Sequence, residues 1–215
     1  MIKGYIGVPL IGLVGAAGSG KDTAADYLVR QYSLLKYSSS DPIKQVAMRF
    51  YGLCADDCYT QEGKSKEHPY IEAYFDPDEW IRGKRKLVSF QPAPGLVRAP
   101  VTNRELLEQL GDRMLDLDPL VVIRPMLKLH ETTGDTVVDS SPRTWDQVNF
   151  IRDNGGIIIY VRRPEAENRA GTHHTATFYR DVQPDFTADN TADFSHLYQQ
   201  LDDIISSLRH GLFEV

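Results

Sequence analysis

Residues 15 to 23 read Gly-Ala-Ala-Gly-Ser-Gly-Lys-Asp-Thr, a set of glycines, hydroxyls and one lysine suited to holding phosphate. Gly15, Gly18 and Gly20 let the backbone curl so that successive N–H groups converge on one anion. The positive end of a following helix points at the same place. Lys21 adds a point charge that can reach the terminal phosphates of a nucleoside triphosphate. The expected binding set is therefore Gly15, Ala16, Gly18, Ser19, Gly20, Lys21, Asp22 and Thr23, with Lys21 acting on the transferring group. One position departs from the commonest pattern. The hydroxyl that usually follows the lysine and meets Mg²⁺ is replaced by Asp22, and Thr23 comes one residue later.

Such a loop works only between a strand and a helix, and the flanking sequence supplies both: apolar residues 10–14 and a helical pattern over 20–32. Further along, strands are expected at 34–37, 136–139, 157–161 and 185–188, and helices at 42–50, 102–115, 120–131, 143–154 and 194–209. The run Ile157-Ile158-Ile159-Tyr160-Val161 is apolar throughout, as in a parallel strand covered on both faces. This alternation predicts one α/β domain over 1–215, a parallel sheet with helices on both faces. Residues 53–101 interrupt it with charge, aromatics and proline, and read as an inserted cap. Within them Pro92-Ala93-Pro94-Gly95 separates two expected hairpin strands, 86–91 and 95–99. The basic run 82–86 suits either a phosphate contact or a solvated edge, and Tyr70, Tyr74, Phe75 and Trp80 either stack on a base or form a local core.

A net charge of −6 argues against a protein that coats nucleic acid. Cys54 and Cys58 have no second pair to complete a zinc site and read as reduced thiols. The apolar N-terminal stretch is too short to span a membrane, and the expected compartment is the cytoplasm.

Four segments give the chain a wider likeness: 18–28 around the loop, Lys36-Tyr37 with Pro42-Ile43-Lys44, Arg104-Glu105-Leu106-Leu107-Glu108-Gln109-Leu110-Gly111, and a stretch from Val137 through Arg143 and Arg163-Pro164 to Asp189-Asn190. In these it resembles the deoxynucleoside monophosphate kinases of tailed bacteriophages, over residues 10–50 and 102–209. The resemblance implies an adenylate-kinase-like P-loop NTPase fold with a five-stranded parallel sheet, an acceptor-side segment and a lid over the phosphates. It implies transfer of the γ-phosphoryl group of ATP to a deoxynucleoside 5′-monophosphate with Mg²⁺, in a host cytoplasm if phage-encoded. A homodimer is left open. Two departures stand out. The family tends to have Asp where Ser141 lies, with Asp139 two residues earlier here, and its lid pattern is altered around Thr172-His173-His174-Thr175.

Phosphoryl transfer between two anions asks a protein mainly to align them and neutralise charge. Arg104 matches the family's acceptor-site helix, where its guanidinium can grip a phosphate, or it is an exposed helix arginine. Arg143 follows a strand at the carboxyl edge where open α/β sheets bind ligands, and it either contacts the substrate there or makes a surface salt bridge. Arg163 and Arg180 match family positions in the expected lid, 164–181, which also holds Arg169 and would exclude water. Asp139 orients magnesium through water, or caps its own turn. Lys44, Tyr37 and Ser38 lie toward the acceptor side, with Lys44 equally suited to the surface and Tyr37 to the core. Asn190 matches a position near the donor base, or caps the last helix. The adjacent His173 and His174 face apart and make no metal pair. Two rival functions remain: another small kinase such as one acting on dephospho-coenzyme A, and an ATP-binding regulatory protein.

Overall fold

The apolar run before the glycine-rich loop forms strand β1, Leu10–Val14, and every residue of it is buried. In the computed structural model, which describes residues 4–168 and 177–210, the chain divides into two units: Met1–Ser40 with Asp118–Val215, and Asp41–Leu117. After β1 come α1 (Lys21–Tyr32) and β2 (Leu35–Tyr37). The second unit holds α2 (Asp41–Phe50), α3 (Ala55–Tyr59), α4 (Gln61–Ser65), β3 (Glu67–Phe75), α5 (Pro77–Ile81), β4 (Leu87–Ser89), β5 (Val97–Thr102) and α6 (Asn103–Leu117). The chain returns to the first through α7 (Arg124–Thr133), β6 (Val137–Asp139), α8 (Trp145–Asp153), β7 (Ile157–Arg162), α9 (Pro164–Glu167), β8 (Phe186–Asp189) and α10 (Phe194–Arg209).

The first unit is built on a five-stranded sheet in the order β2-β6-β1-β7-β8, parallel throughout. Counted within the sheet this is 2-3-1-4-5, and its five parallel strands are as expected. The central strand β1 delivers its loop to the carboxyl edge, beside the point where the strand order reverses. Leu28 of α1 and Leu197, Leu201 and Ile205 of α10 cover one face of the sheet, against Leu13 and Ile159. Their spacing in α10 repeats every four residues, one stripe of a helix. Met126 of α7 and Val148 and Ile151 of α8 cover the other face, against Val14 and Ile158. Each such buried side chain contributes about 1.5–3 kcal/mol. Helix α8 starts at Trp145 rather than at residue 143 because Thr144 is its N-cap, accepting a hydrogen bond from the Gln147 N–H.

The second unit corrects the expected hairpin. Strands β4 and β5 both form, but each pairs antiparallel with β3, in the order β4-β3-β5. The pattern of β3 hides it from a period-two reading: the register shifts between Glu67 and Glu72, so buried His68 falls out of phase with buried Ala73 and Phe75. Phe75, Val101 and Leu106 form a core with Ala47 of α2 and Cys58 of α3. The basic run is divided. Arg85 pairs with Glu105 at 2.7 Å and lies 4.8 and 5.2 Å from the Phe75 and Trp80 ring centres, whereas Lys84 and Lys86 make exposed pairs with Glu79 and Asp76. Phe75 and Trp80 thus belong to a local core, while Tyr70 is exposed. Among the described residues, no helix is long and apolar enough to cross a membrane.

Candidate active site

The loop after β1 turns at glycines where any other residue would be strained. Gly15 has φ +147°, and a Cβ there would lie 2.5 Å from the Val161 carbonyl oxygen. Gly20, the N-cap of α1, has φ +101°, and its Cβ would lie 2.5 Å from Asn190 Nδ2. That contact marks what Asn190 does: its buried amide donates to the Ser19 carbonyl at 2.8 Å, and its own N–H donates to the Arg162 carbonyl at 2.8 Å. Asn190 therefore braces the loop from β8. The N-cap of the last helix is instead Asp193, which accepts from the His196 N–H.

Lys21 is the first residue of α1, and its Nζ folds back onto the Gly15 and Ala16 carbonyls at 2.8 and 2.7 Å. Burial, and then the charge of Arg143, lower its pKa to about 8. An ammonium so depleted of water binds an arriving anion strongly. Inside the loop the Ser19 side chain is fully buried and its Oγ has no hydrogen-bond partner. Gly18 has open space around it, and Ala16 is buried. Asp22 and Thr23 occupy the first turn of α1, Asp22 exposed and Thr23 partly buried.

Strands β2 and β6 end side by side, with Tyr37 opposite Asp139. Asp139 is fully buried, and its Oδ1 accepts from the Ser39 N–H at 3.2 Å and from the Ser141 N–H and hydroxyl at 2.8 and 2.9 Å. Its Oδ2 has no partner. Burial lifts its pKa to about 6 against those hydrogen bonds. Ser38 Oγ lies 2.9 Å from Ser40 Oγ and 3.0 Å from Ser141 Oγ. Tyr37 donates its hydroxyl to the Val122 carbonyl at 2.6 Å and packs in the core, the second of its two expected roles.

Arg143, past the end of β6, is exposed, and its backbone N–H donates to Gln147 Oε1 at 2.7 Å. Its guanidinium makes no ion pair among the described residues and is close enough to Lys21 to depress it. Arg163, past the end of β7, donates to the Gly18 carbonyl at 3.4 Å and lies 3.8 Å from Glu165. Arg180 instead donates to the Glu167 carbonyl at 3.4 Å, within the segment expected to be the lid. In the second unit Lys44 pairs with Asp41 at 2.9 Å and sits 4.1 Å above the Tyr59 ring, and Arg104 donates to Gln61 Oε1 at 2.6 Å. Arg169, His173 and His174 lie outside the described residues.

Sequence reasoning missed the serines. Ser39, Ser140 and Ser141 cradle carboxylates, Ser140 Oγ donating to Asp22 Oδ1 at 2.6 Å. The signal was a serine run after each of two strand ends, which becomes one cluster only once β2 and β6 are neighbours. Among the described residues no three His, Cys, Asp or Glu side chains converge on a metal position.

No family model matches the sequence. A protein of Acanthamoeba polyphaga mimivirus described as "Putative deoxynucleotide monophosphate kinase" is 27% identical over 209 residues, spanning 89% of this chain and 93% of that protein. Among solved structures, a shikimate kinase from Acinetobacter baumannii in complex with shikimate covers 96% of each chain at 12% identity, with a TM-score of 0.46. That structural likeness is too weak to bear on function.

Proposed function

We propose that the chain is an ATP-dependent kinase that transfers the γ-phosphoryl group to a deoxynucleoside 5′-monophosphate, giving ADP and the deoxynucleoside diphosphate. The observation that carries this reading is the glycine loop wrapped around half-buried Lys21, at the carboxyl edge of a 2-3-1-4-5 sheet. The choice of acceptor is supported by the resemblance and by the mimivirus relative, whose similarity runs nearly end to end.

An oxygen of the acceptor's phosphate attacks the γ-phosphorus, and the bond to the β–γ bridging oxygen breaks, its electron pair leaving with ADP. The loop N–H groups and Lys21 take the β- and γ-phosphates, and Lys21 exchanges its two carbonyl partners for phosphate oxygens. Arg143 holds the acceptor's phosphate near Lys21, with Ser38 at the acceptor's approach, and the acceptor-side assignment of Arg104 and Lys44 is supported by the resemblance alone. Arg163 and Arg180 neutralise the moving charge, and residues 169–176 of the expected lid lie outside the described residues.

The residues fit a magnesium ion of the kind that takes few protein ligands and keeps several waters. The orphaned Oδ2 of Asp139 is an acceptor lacking a partner, and Thr23 adds a hydroxyl. When bound, magnesium would neutralise charge on the β- and γ-phosphates.

A coupled assay of ADP formation against dNMPs, NMPs and dephospho-coenzyme A tests the reading, with turnover expected on dNMPs. Turnover on dephospho-coenzyme A alone, or none on any acceptor by a folded protein that binds ATP, would overturn it. Arg104→Ala and Arg143→Ala should weaken monophosphate binding far more than ATP binding by calorimetry. The reverse would remove their acceptor assignment.

A further inference from the structure

The position after the loop lysine usually carries a hydroxyl turned toward the metal, and here it carries a carboxylate. Thr23, one residue on, lies about 100° farther around the helix, so its hydroxyl comes from a different side and leaves the usual position to Asp22. The Asp22 carboxylate is not adrift. Ser140 Oγ donates to its Oδ1 at 2.6 Å, and Lys36 Nζ lies 3.8 Å from the same oxygen while bonding Asp26 at 2.8 Å. The side chain nevertheless remains 81% exposed, and it is near enough to Lys21 to act on its charge. Ser140 also joins two carboxylates along the chain: its hydroxyl reaches Asp22, and its neighbour Asp139 keeps a buried oxygen with no partner.

Resting on the reading of this loop as a triphosphate site, we propose that Asp22 couples nucleotide binding to the divalent cation. Its carboxylate faces the metal in place of the usual hydroxyl, and Ser140 is the residue that positions it. A carboxylate beside Lys21 repels the phosphates of a metal-free nucleotide. A cation between the two anions reverses that effect, so the loop discriminates against nucleotide without metal. Asp139 then serves as the second carboxylate, from the end of β6.

The test is calorimetric titration with the non-hydrolysable triphosphate AMPPNP, once in EDTA and once in Mg²⁺. Asp22→Asn should bind metal-free AMPPNP about tenfold more tightly than wild type and lose most of the Mg²⁺-dependent gain, as removal of one nearby charge implies. Asp22→Ser, which restores the usual hydroxyl, should gain the same metal-free affinity yet keep a response to Mg²⁺. Ser140→Ala should reduce the Mg²⁺ gain without tightening the metal-free complex. If Asp22→Asn leaves both the metal-free affinity and the Mg²⁺ gain at wild-type values, or changes only the melting temperature, Asp22 is a helix-end charge and the proposal falls. In that case AMPPNP binding by wild type still upholds the triphosphate site. Absence of binding by wild type in both buffers overturns that reading and this one together.

Discussion

Replacing Lys21 by methionine should make the ligand-free protein more stable and at the same time unable to hold nucleotide. Burial and the Arg143 charge lower the lysine from 10.5 to about 8, a drop worth about 3 kcal/mol against the charged form at roughly 1.36 kcal/mol per unit. Methionine keeps the apolar stem but forfeits the two bonds to the Gly15 and Ala16 carbonyls, together about 2 kcal/mol. The difference favours the variant by about 1 kcal/mol at neutral pH, or roughly 2–4 °C in Tm for a chain of this size. The folded pKa is depressed, so the cost of the ammonium is fully present below about pH 8. It is relieved as pH rises from about 8 toward 10.5, where only the unfolded chain still binds the proton. By about pH 10 wild type, with a neutral amine still bonded to both carbonyls, should be the more stable of the two. Thermal unfolding followed by circular dichroism at pH 7 and pH 10, in phosphate-free buffer, measures both ends of the crossover. Turnover should fall by about a hundredfold or more. A variant that is less stable than wild type at pH 7, by a margin that does not change with pH, would refute the reasoning.

Asp139→Asn should flatten the pH dependence of stability. The buried carboxyl ionises only near 6 while the unfolded one ionises near 3.8, so wild type loses stability as pH rises through that window. Melts of both proteins from pH 4 to 7 check this, and the variant should also lose metal-supported turnover. Asn190→Ala leaves the buried Ser19 carbonyl without its partner, which should cost about 1–3 kcal/mol and weaken ATP binding in calorimetry. Arg85→Ala breaks a two-bonded pair with Glu105 and uncovers two rings. Because Arg85 is partly exposed, a loss of about 2–3 kcal/mol in urea unfolding is expected, whereas Lys86→Ala should cost about 0.5 kcal/mol or less.

What the sequence made legible was whatever one element carries by itself. Strand β1 and helix α10 fall at 10–14 and 194–209 as read, because an all-apolar run and a four-residue stripe are local patterns. The phosphate loop is equally local, nine residues whose glycines and lysine meet one another within a single turn. Strand β3 was illegible because its register shift breaks the alternation that would announce it. The bond that ties Asn190 to Ser19 spans 171 residues, and no spacing rule reaches that far. The serines were missed for the same cause. A serine after a strand reads as a turn residue, and it becomes part of a carboxylate's cradle only when the sheet order sets β2 beside β6. The chemistry of the loop is thus written in contiguous residues. The surroundings that tune it, a lysine pressed down to about 8 and a carboxylate lifted to about 6, come from chain crossings that burial enforces and the one-dimensional pattern does not record.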